Sequence, residues 1–355
     1  MSDVELGVIE GYYGRPWSWT ERAATIALLA PKGFRFYIYA PKADTYLRRR
    51  WREDHPAETR AALKALAADC AALGVQFGVG LSPFELYRDF NAAAKADLAR
   101  KLAGFDEIGV ECLAILFDDM RGDLPELAHS QVEILHWIRR RTRARRMVAC
   151  PTYYSDDPML DRVFGARPDR YLEDFGAALD PAIDVFWTGT EVCSREYQPG
   201  SLDRVAAQLR RKPLLWDNYP VNDSPSMTQA LHIRGFTGRP ASIGPHIRGH
   251  AVNPALQPVL SRIPALTLAD SYRLGEAYDY GEAFVDAARA VLGPDLADMV
   301  RGHLPLLQDT GLDRLGERAS RLRARYADID HPAAREIVGW LDGDYAFTPE
   351  DLAET

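Results

Sequence analysis

The sequence has no run approaching the roughly 18 to 20 consecutive apolar residues that a bilayer span needs, so no membrane-spanning protein is expected. Met1 to Glu5 carry neither a basic cluster nor a long apolar core, and a strand-like pattern begins at Leu6. The expectation is a chain without an export signal, resident in the cytoplasm. Cysteine is scarce. Cys70, Cys112, Cys150 and Cys193 lie far apart, with no CxxC pair and no spacing of a zinc or disulfide framework, which fits a reducing compartment. Positive charge is in deficit, 43 Lys and Arg against 51 Asp and Glu, for a net charge of −8 and a pI near 5.6. Polyanionic partners need an excess of exposed cations, so nucleic acid and anionic membranes are disfavoured. The one basic cluster, Arg139, Arg140, Arg141, Arg143, Arg145 and Arg146, is expected to close a helix, where cations meet the negative end of its dipole. No GxGxxG follows the first strand, which removes the main signature of a dinucleotide-binding sheet. His246 and His250 are four residues apart but flank a strand-like run and have no HExxH glutamate, so no metal site is predicted there.

What is present is ordinary globular composition, 47% hydrophobic and 26% charged over 355 residues, enough for one large α/β barrel with a modest appendage. Short apolar runs rich in β-branched and aromatic residues alternate with longer helical patterns, the rhythm of βα units. Eight runs predict strands: Leu6 to Glu10, Arg35 to Tyr39, Gln76 to Leu81, Cys112 to Phe117, Met147 to Cys150, Asp184 to Trp187, Pro213 to Trp216 and Ile247 to Val252. Helices are expected between them, over Thr20 to Leu29, Ala57 to Leu73, Ala92 to Leu102, Asp123 to Arg143, Asp169 to Leu179 and Ser201 to Arg211. After about Tyr280 the pattern becomes continuously helical, through Gly281 to Leu292, Leu296 to Leu307 and Leu312 to Tyr326. The expected architecture is a (β/α)8 TIM barrel over residues 1–280 with a helical C-terminal extension over 281–355 packed on it.

In such barrels chemistry sits at the C-terminal ends of the strands. Polar and aromatic residues collect there: Gly11, Tyr12 and Tyr13 after the first strand, Lys42 after the second, Asp118 and Asp119 after the fourth, and Tyr153 and Tyr154 after the fifth. Trp187 ends the sixth, Trp216, Asp217 and Asn218 end the seventh, and Asn253 follows the eighth. Two acids after a buried apolar strand are expensive unless used or paired, because desolvation disfavours their charged form. Taken alone, Asp118 and Asp119 fit a capped or salt-bridged strand end, a Mg2+ site, or an acid/base pair whose members face different surroundings. The readings from other classes are a metal-dependent lyase or phosphotransferase and a sugar-binding protein without turnover.

The ordered motifs narrow this choice. Gly7 to Trp17 (GVIEGYYGRPW), Tyr39 to Lys42 (YAPK), Phe117-Asp118-Asp119, Trp216-Asp217-Asn218 with Asn222-Asp223, and Asn253-Pro254 together resemble glycoside hydrolase family 84, over roughly Leu6 to Tyr272. The resemblance implies a retaining β-N-acetylglucosaminidase that uses the 2-acetamido group of its own substrate as nucleophile and passes through an oxazoline. It implies that Asp118 orients and polarises the acetamido N–H, and that Asp119 protonates the leaving oxygen and then activates water. Lys42, Asn218, Asp223, Asn253 and the Gly11 backbone would hold sugar hydroxyls. Tyr154 would steady the acetamido oxygen, with Trp216 and Tyr12 shaping the acetamide pocket. No cofactor and no metal are implied, and the substrate class is a terminal β-N-acetylglucosaminide, including O-GlcNAc-modified protein. Ala43 departs from the family pattern, in which an acid often follows the lysine, and no accessory domain is recognisable in the sequence.

Overall fold

In the computed structural model, which describes residues 4–347, eight parallel strands close into a barrel in sequence order. They are β1 (Leu6–Ile9), β2 (Phe34–Tyr39), β3 (Gln76–Leu81), β4 (Cys112–Leu116), β5 (Arg146–Cys150), β6 (Ile183–Trp187), β7 (Leu214–Asp217) and β8 (Gly249–Val252). Each lies within two residues of its expected bounds. The ring closes where Leu6, Gly7 and Val8 of β1 pair with His250, Ala251 and Val252 of β8. A closed sheet has no free edge, so the backbone polar groups of these buried strands are paired by their neighbours.

Around the sheet run α1 (Trp19–Leu29), α2 (Ala57–Ala72), α3 (Ala92–Ile108), α4 (Leu127–Arg139), α5 (Met159–Phe164), α6 (Tyr171–Ala178), α7 (Pro199–Leu209) and α8 (Arg262–Leu274). Local sequence sets several of their ends. Ser18 caps α1 by accepting the Glu21 N–H, while the Glu21 carboxylate accepts the Ser18 N–H, a reciprocal capping box. Asn91 caps α3 one way, its Oδ1 accepting the Ala94 N–H. Inside the barrel a Cβ on Gly7 would stand 2.3 Å from the Phe36 ring, so the missing side chain is the space that ring fills.

The structure corrects the helix boundaries in three places. The helix expected over Asp123 to Arg143 is only α4, and the basic cluster does not close it as one unit. Arg146 instead opens β5, where it meets Asp184 at 2.8 Å and Glu5 at 3.1 Å under the barrel. The short α5 and the whole of α8 have no counterpart in the expected set. Nine of the thirteen residues of α8 are buried, so its solvent-facing side is narrow and confined to Arg262, Asp270, Arg273 and Leu274.

The extension comprises α9 (Tyr280–Leu292), α10 (Pro294–Leu304), α11 (Glu317–Ala327) and α12 (Pro332–Leu341). The helix expected over Leu312 to Tyr326 is interrupted at Gly316, whose φ of 56° leaves the right-handed helical region. Residues 348–355 of the expected extension lie outside the described residues. Among the described residues no helix is long and apolar enough to cross a membrane.

Beneath the seventh and eighth strand ends lies a buried ion pair. The Arg239 guanidinium grips both oxygens of Asp217, Nε at 2.8 Å and Nη2 at 2.7 Å, and His250 Nε2 approaches the same carboxylate at 2.9 Å. Burial pushes the Asp217 carboxyl up, but Arg239 and His250 outweigh it and hold the group below the usual carboxylate range. Arg239 also donates to the carbonyls of Ser194, Arg195 and Thr237, so one side chain ties the loop after β6 to β7. Removing that cation leaves Asp217 buried and nearly uncompensated. Arg239→Met is expected to lose about 3–5 kcal/mol of stability in denaturant titration, and a loss below about 1 kcal/mol would show that the pair is not what holds this region.

Candidate active site

The strand ends converge on a cavity of about 490 Å3 whose wall includes Gly11, Asp118, Asp119, Tyr154, Trp216, Asn218, Asp223 and Asn253. These are eight of the ten residues singled out in the sequence. Lys42 and Tyr12 stand behind the wall.

Asp118 follows the last residues of β4 and its side chain is only 7% exposed. The ammonium of Lys42, itself buried, donates to Oδ2 of Asp118 and lies 3.7 Å from Oδ2 of Asp119. The first carboxylate is therefore neutralised from behind. Its other oxygen, Oδ1, is buried and has no partner among the described residues, although Asp118 lines the cavity. A buried carboxylate oxygen without a donor is costly, which marks it as an acceptor suited to an incoming N–H or O–H.

Asp119 is placed differently. Its backbone takes a φ of 55°, an uncommon conformation for a residue with a side chain, and Arg48 Nη2 donates to its carbonyl at 2.9 Å. This turn directs its carboxylate to the cavity, where Tyr13 Oη donates at 2.7 Å and Tyr154 Oη at 3.1 Å. Burial pushes the Asp119 carboxyl up, but Lys42, Arg48 and the two phenol donors outweigh it and hold the group low. Adjacent acids thus have opposite settings, one locked to an ammonium and one held by neutral donors that can let go.

The remaining wall is a hydrogen-bonded ring. Gly11 N–H donates to Asn253 Oδ1 at 3.0 Å, Asn253 Nδ2 donates to Asn218 Oδ1 at 2.9 Å, and Trp216 Nε1 reaches the same oxygen at 2.9 Å. Asn218 Nδ2 in turn donates to the Val192 carbonyl at 2.8 Å. Gly11 has to be glycine here, because a Cβ would stand 1.9 Å from Cζ2 of Trp216. The indole packs flat against that backbone and forms part of the apolar floor.

Tyr12 is a correction. It is fully buried, its hydroxyl donates to Glu10 at 3.0 Å and accepts the Trp17 N–H at 3.1 Å, and it does not line the cavity. Its neighbour Tyr13 takes the cavity position, as alternation along an extended segment requires. Below Tyr12, Glu10 is held by Arg22 at 2.8 Å and by the hydroxyl of Tyr37, a buried polar cluster that supports the first strand end.

A family model described as beta-N-acetylglucosaminidase matches residues 6–303. The chain belongs to this family, glycoside hydrolase family 84. The Protein O-GlcNAcases of Mus musculus and Rattus norvegicus are each 30% identical to it over 276 residues, 75% of this chain and 30% of theirs. The chain thus spans about 30% of the length of the curated relatives it matches. A solved mutant of an O-GlcNAc hydrolase from Thermobaculum terrenum superposes with a TM-score of 0.76 at 28% identity, over 98% of this chain and 86% of that one. CpGH84B shares the fold, with a TM-score of 0.76 at 24% identity over 95% of this chain and 66% of that one.

In this member of the family several wall residues were given no role from the sequence. Tyr13 was grouped with Tyr12 at the end of the first strand, but only Tyr12 was given a place in the pocket. Cys150, Val192, Cys193 and Met227 read as ordinary apolar or loop residues, and Phe347 lies far from any motif. Phe347 comes from the extension and meets the Tyr13 ring edge to face, with centroids 6.3 Å apart. No group of three or more His, Cys, Asp or Glu suited to a metal ion occurs among the described residues.

Asp223 accepts the Tyr13 N–H at 2.9 Å and is pushed up to about 6, first by burial and further by the charge of Asp119, against the Tyr13 N–H. The sign follows from linkage. The folded pKa lies above the unfolded value of about 3.9, so ionising Asp223 weakens the fold above about pH 6 and has no effect below about pH 4. Asp223→Asn, which keeps an acceptor for Tyr13, is expected to raise stability by about 1–3 kcal/mol at pH 7.5 and to leave it unchanged at pH 3.5. Unfolding midpoints at the two pH values check this. Equal shifts at both would mean that the carboxylate is not strained.

Proposed function

We propose that this chain hydrolyses terminal β-linked N-acetylglucosamine with retention of configuration, through an oxazoline formed by the substrate's own acetamide. The observation that carries the reading is the unequal setting of the two carboxylates. Asp118 has one oxygen tied to Lys42 and the other buried without a donor at the cavity wall. An acetamido N–H supplies the missing donor, and the fixed negative charge makes the acetamide oxygen a better nucleophile as it swings toward the anomeric carbon. That oxygen then forms the new bond to C1 as the glycosidic C–O bond breaks, and Asp119 delivers its proton to the departing oxygen. Water attacks C1 from the opposite side as the C1–O bond of the oxazoline breaks and restores the acetamide, Asp119 takes the proton of the water, and the two inversions leave the β-anomer.

Asp119 is held low in the free site, and a general acid must carry a proton. A bound sugar displaces one or both tyrosine hydroxyls, removing donors to the carboxylate, and excludes water, which strengthens the upward push of burial. Tyr154 is then free to donate to the acetamide oxygen. Trp216 and the Gly11–Asn253–Asn218 ring form the floor and hydroxyl contacts, with Lys42 and Asp223 beside them. Tyr12 acts from beneath.

The natural substrates in this reading are O-GlcNAc-modified Ser or Thr residues, by analogy with the relatives named Protein O-GlcNAcase. The cytoplasm is the proposed compartment, supported by three buried cysteines and an exposed Cys193, all unpaired. Residues 1–280 are taken as the catalytic barrel and 281–355 as an extension that completes the mouth, supported by the placement of Phe347.

The test varies the substrate and the two acids together. Mono-, di- and trifluoroacetamido aryl glycosides should react progressively more slowly, because fluorine withdraws electron density from the nucleophilic oxygen. Asp119→Asn should slow basic leaving groups severely while sparing activated aryl glycosides, and Asp118→Asn should slow both. Rates indifferent to fluorination, or a glycosyl ester trapped on either acid, would replace this scheme with an enzyme nucleophile.

A further inference from the structure

A second cavity of about 450 Å3 adjoins the first, and Cys193, Asn218 and Met227 line both. The two differ in charge. The sugar cavity is lined by Asp118, Asp119 and Asp223, and no Lys or Arg reaches its wall. The neighbouring chamber is lined by Arg195, Arg234 and Arg239, with no Asp or Glu among its lining residues. In a chain of net charge −8, a concave surface with three arginines and no acid runs against the overall composition.

The three arginines are not equally committed. Arg239 is consumed by Asp217. Arg234 meets Asp309 at 2.5 Å through Nη2, but Asp309 is 54% exposed, and the Nε of Arg234 has no partner among the described residues. Arg195 has no side-chain partner among the described residues, although its carbonyl is held by Arg239. Gln308, from the extension, fixes the strand of chain that carries Arg234 by accepting the N–H groups of Ile233 and Arg234, each at 2.9 Å. The chamber therefore presents one free guanidinium and one with an unused N–H, on a backbone anchored at both ends.

We propose that this chamber is a subsite for an anionic group carried by the N-acetylglucosaminide, held by Arg195 and Arg234 while the sugar occupies the main cavity. The inference rests on the glycosidase reading above. A carboxylate or sulfate entering past Met227 meets the unused donors of Arg234 and the free Arg195, and charge-assisted bonds in a part-enclosed site are the strong ones. Asn218 is pinned by Trp216, Asn253 and Val192, so the boundary is fixed on that side, while the thioether of Met227 adapts to what passes. The anion has two chemical sources, an acidic residue in a peptide leaving group or an acidic substituent on the sugar's own 6-position.

The test compares kcat/KM for a neutral aryl N-acetylglucosaminide, its 6-sulfate, and GlcNAc-Ser peptides flanked by Asp, Ala or Lys. One anionic arm at least should exceed its neutral counterpart by about tenfold at low salt, the size of one charge-assisted hydrogen bond, and the advantage should shrink in 1 M salt. Preference in the peptide arm puts the anion on the leaving group, and preference in the sulfate arm puts it on the sugar. Arg195→Gln and Arg234→Gln should each reduce that preference, Arg195→Glu should reverse it, and the neutral aryl glycoside should report unchanged turnover. Equal rates across neutral, acidic and basic substrates, or a preference that survives both Arg195→Gln and Arg234→Gln, would overturn the subsite. If the wild type fails on the neutral aryl glycoside, the glycosidase reading fails instead, and calorimetric titration with the same glycosides then decides the chamber by whether the anionic one binds tighter.

Discussion

The buried contact between Lys42 and Asp118 is the constraint around which the site is arranged. A carboxylate placed after five apolar residues of β4 is costly to desolvate unless a cation meets it, and the cation comes from the loop after β2. Lys42 is placed in turn by its own N–H, which donates to the Tyr12 carbonyl at 2.9 Å, so the first three even-handed contributors to the mouth, the ends of β1, β2 and β4, are locked to one another. Asp118 follows β4, and the chain turns at the next residue. Asp119 turns into the left-handed region, and Arg48 holds its carbonyl there.

That turn produces two carboxylates of different character from one dipeptide. Asp118 is anchored by charge and can only accept, while Asp119 is held by two phenols whose bonds can be exchanged for bonds to a ligand. The barrel supports this with buried ionic groups under other strand ends, Glu10 with Arg22 under β1 and Asp217 with Arg239 and His250 under β7 and β8. Neither cluster reaches the cavity. Each sets the direction of the residue that follows it, Gly11 in one case and Asn218 in the other, so polar groups of high desolvation cost are spent on position.

The strands were legible because each is a short apolar run bounded by turn residues, and strand ends in a closed barrel must face one mouth. Asp118, Asp119 and Asn253 were legible for the same reason together with their motifs, and Asp223 through its motif alone. What the sequence concealed has a common cause, namely that periodicity speaks only where one face is wet. The α8 helix has only a narrow polar face and was not read as a helix. Tyr12 and Tyr13 are chemically identical, and only the pleat separates the one that meets Glu10 from the one that meets Asp119. Arg146 sat in a run of arginines, yet its partners are Asp184 on the adjacent strand β6 and Glu5 just before β1, both distant in sequence and brought to it only by the fold.

The extension was legible as helices, but its contacts with the mouth were not, and they most change how the mouth is understood. Glu336 of α12 accepts the N–H groups of Val259 and Leu260 at 2.7 and 2.9 Å, and burial first of all pushes its carboxyl up to about 8, against those two donors. Trp340 Nε1 donates to the Thr228 carbonyl at 2.9 Å, and Gln308 holds the segment at Ile233 and Arg234. These contacts fall on the two long connections that leave β7 and β8, the same connections that present Asp223 and Asn253. Long loops at a barrel mouth have few neighbours of their own, and a loop that must hold a hydrogen-bonding group to a fraction of an ångström needs support from a second element. The helices after β8 supply that support from outside the barrel, and Phe347 carries it to the rim by meeting Tyr13, the residue that also touches both Asp119 and Asp223.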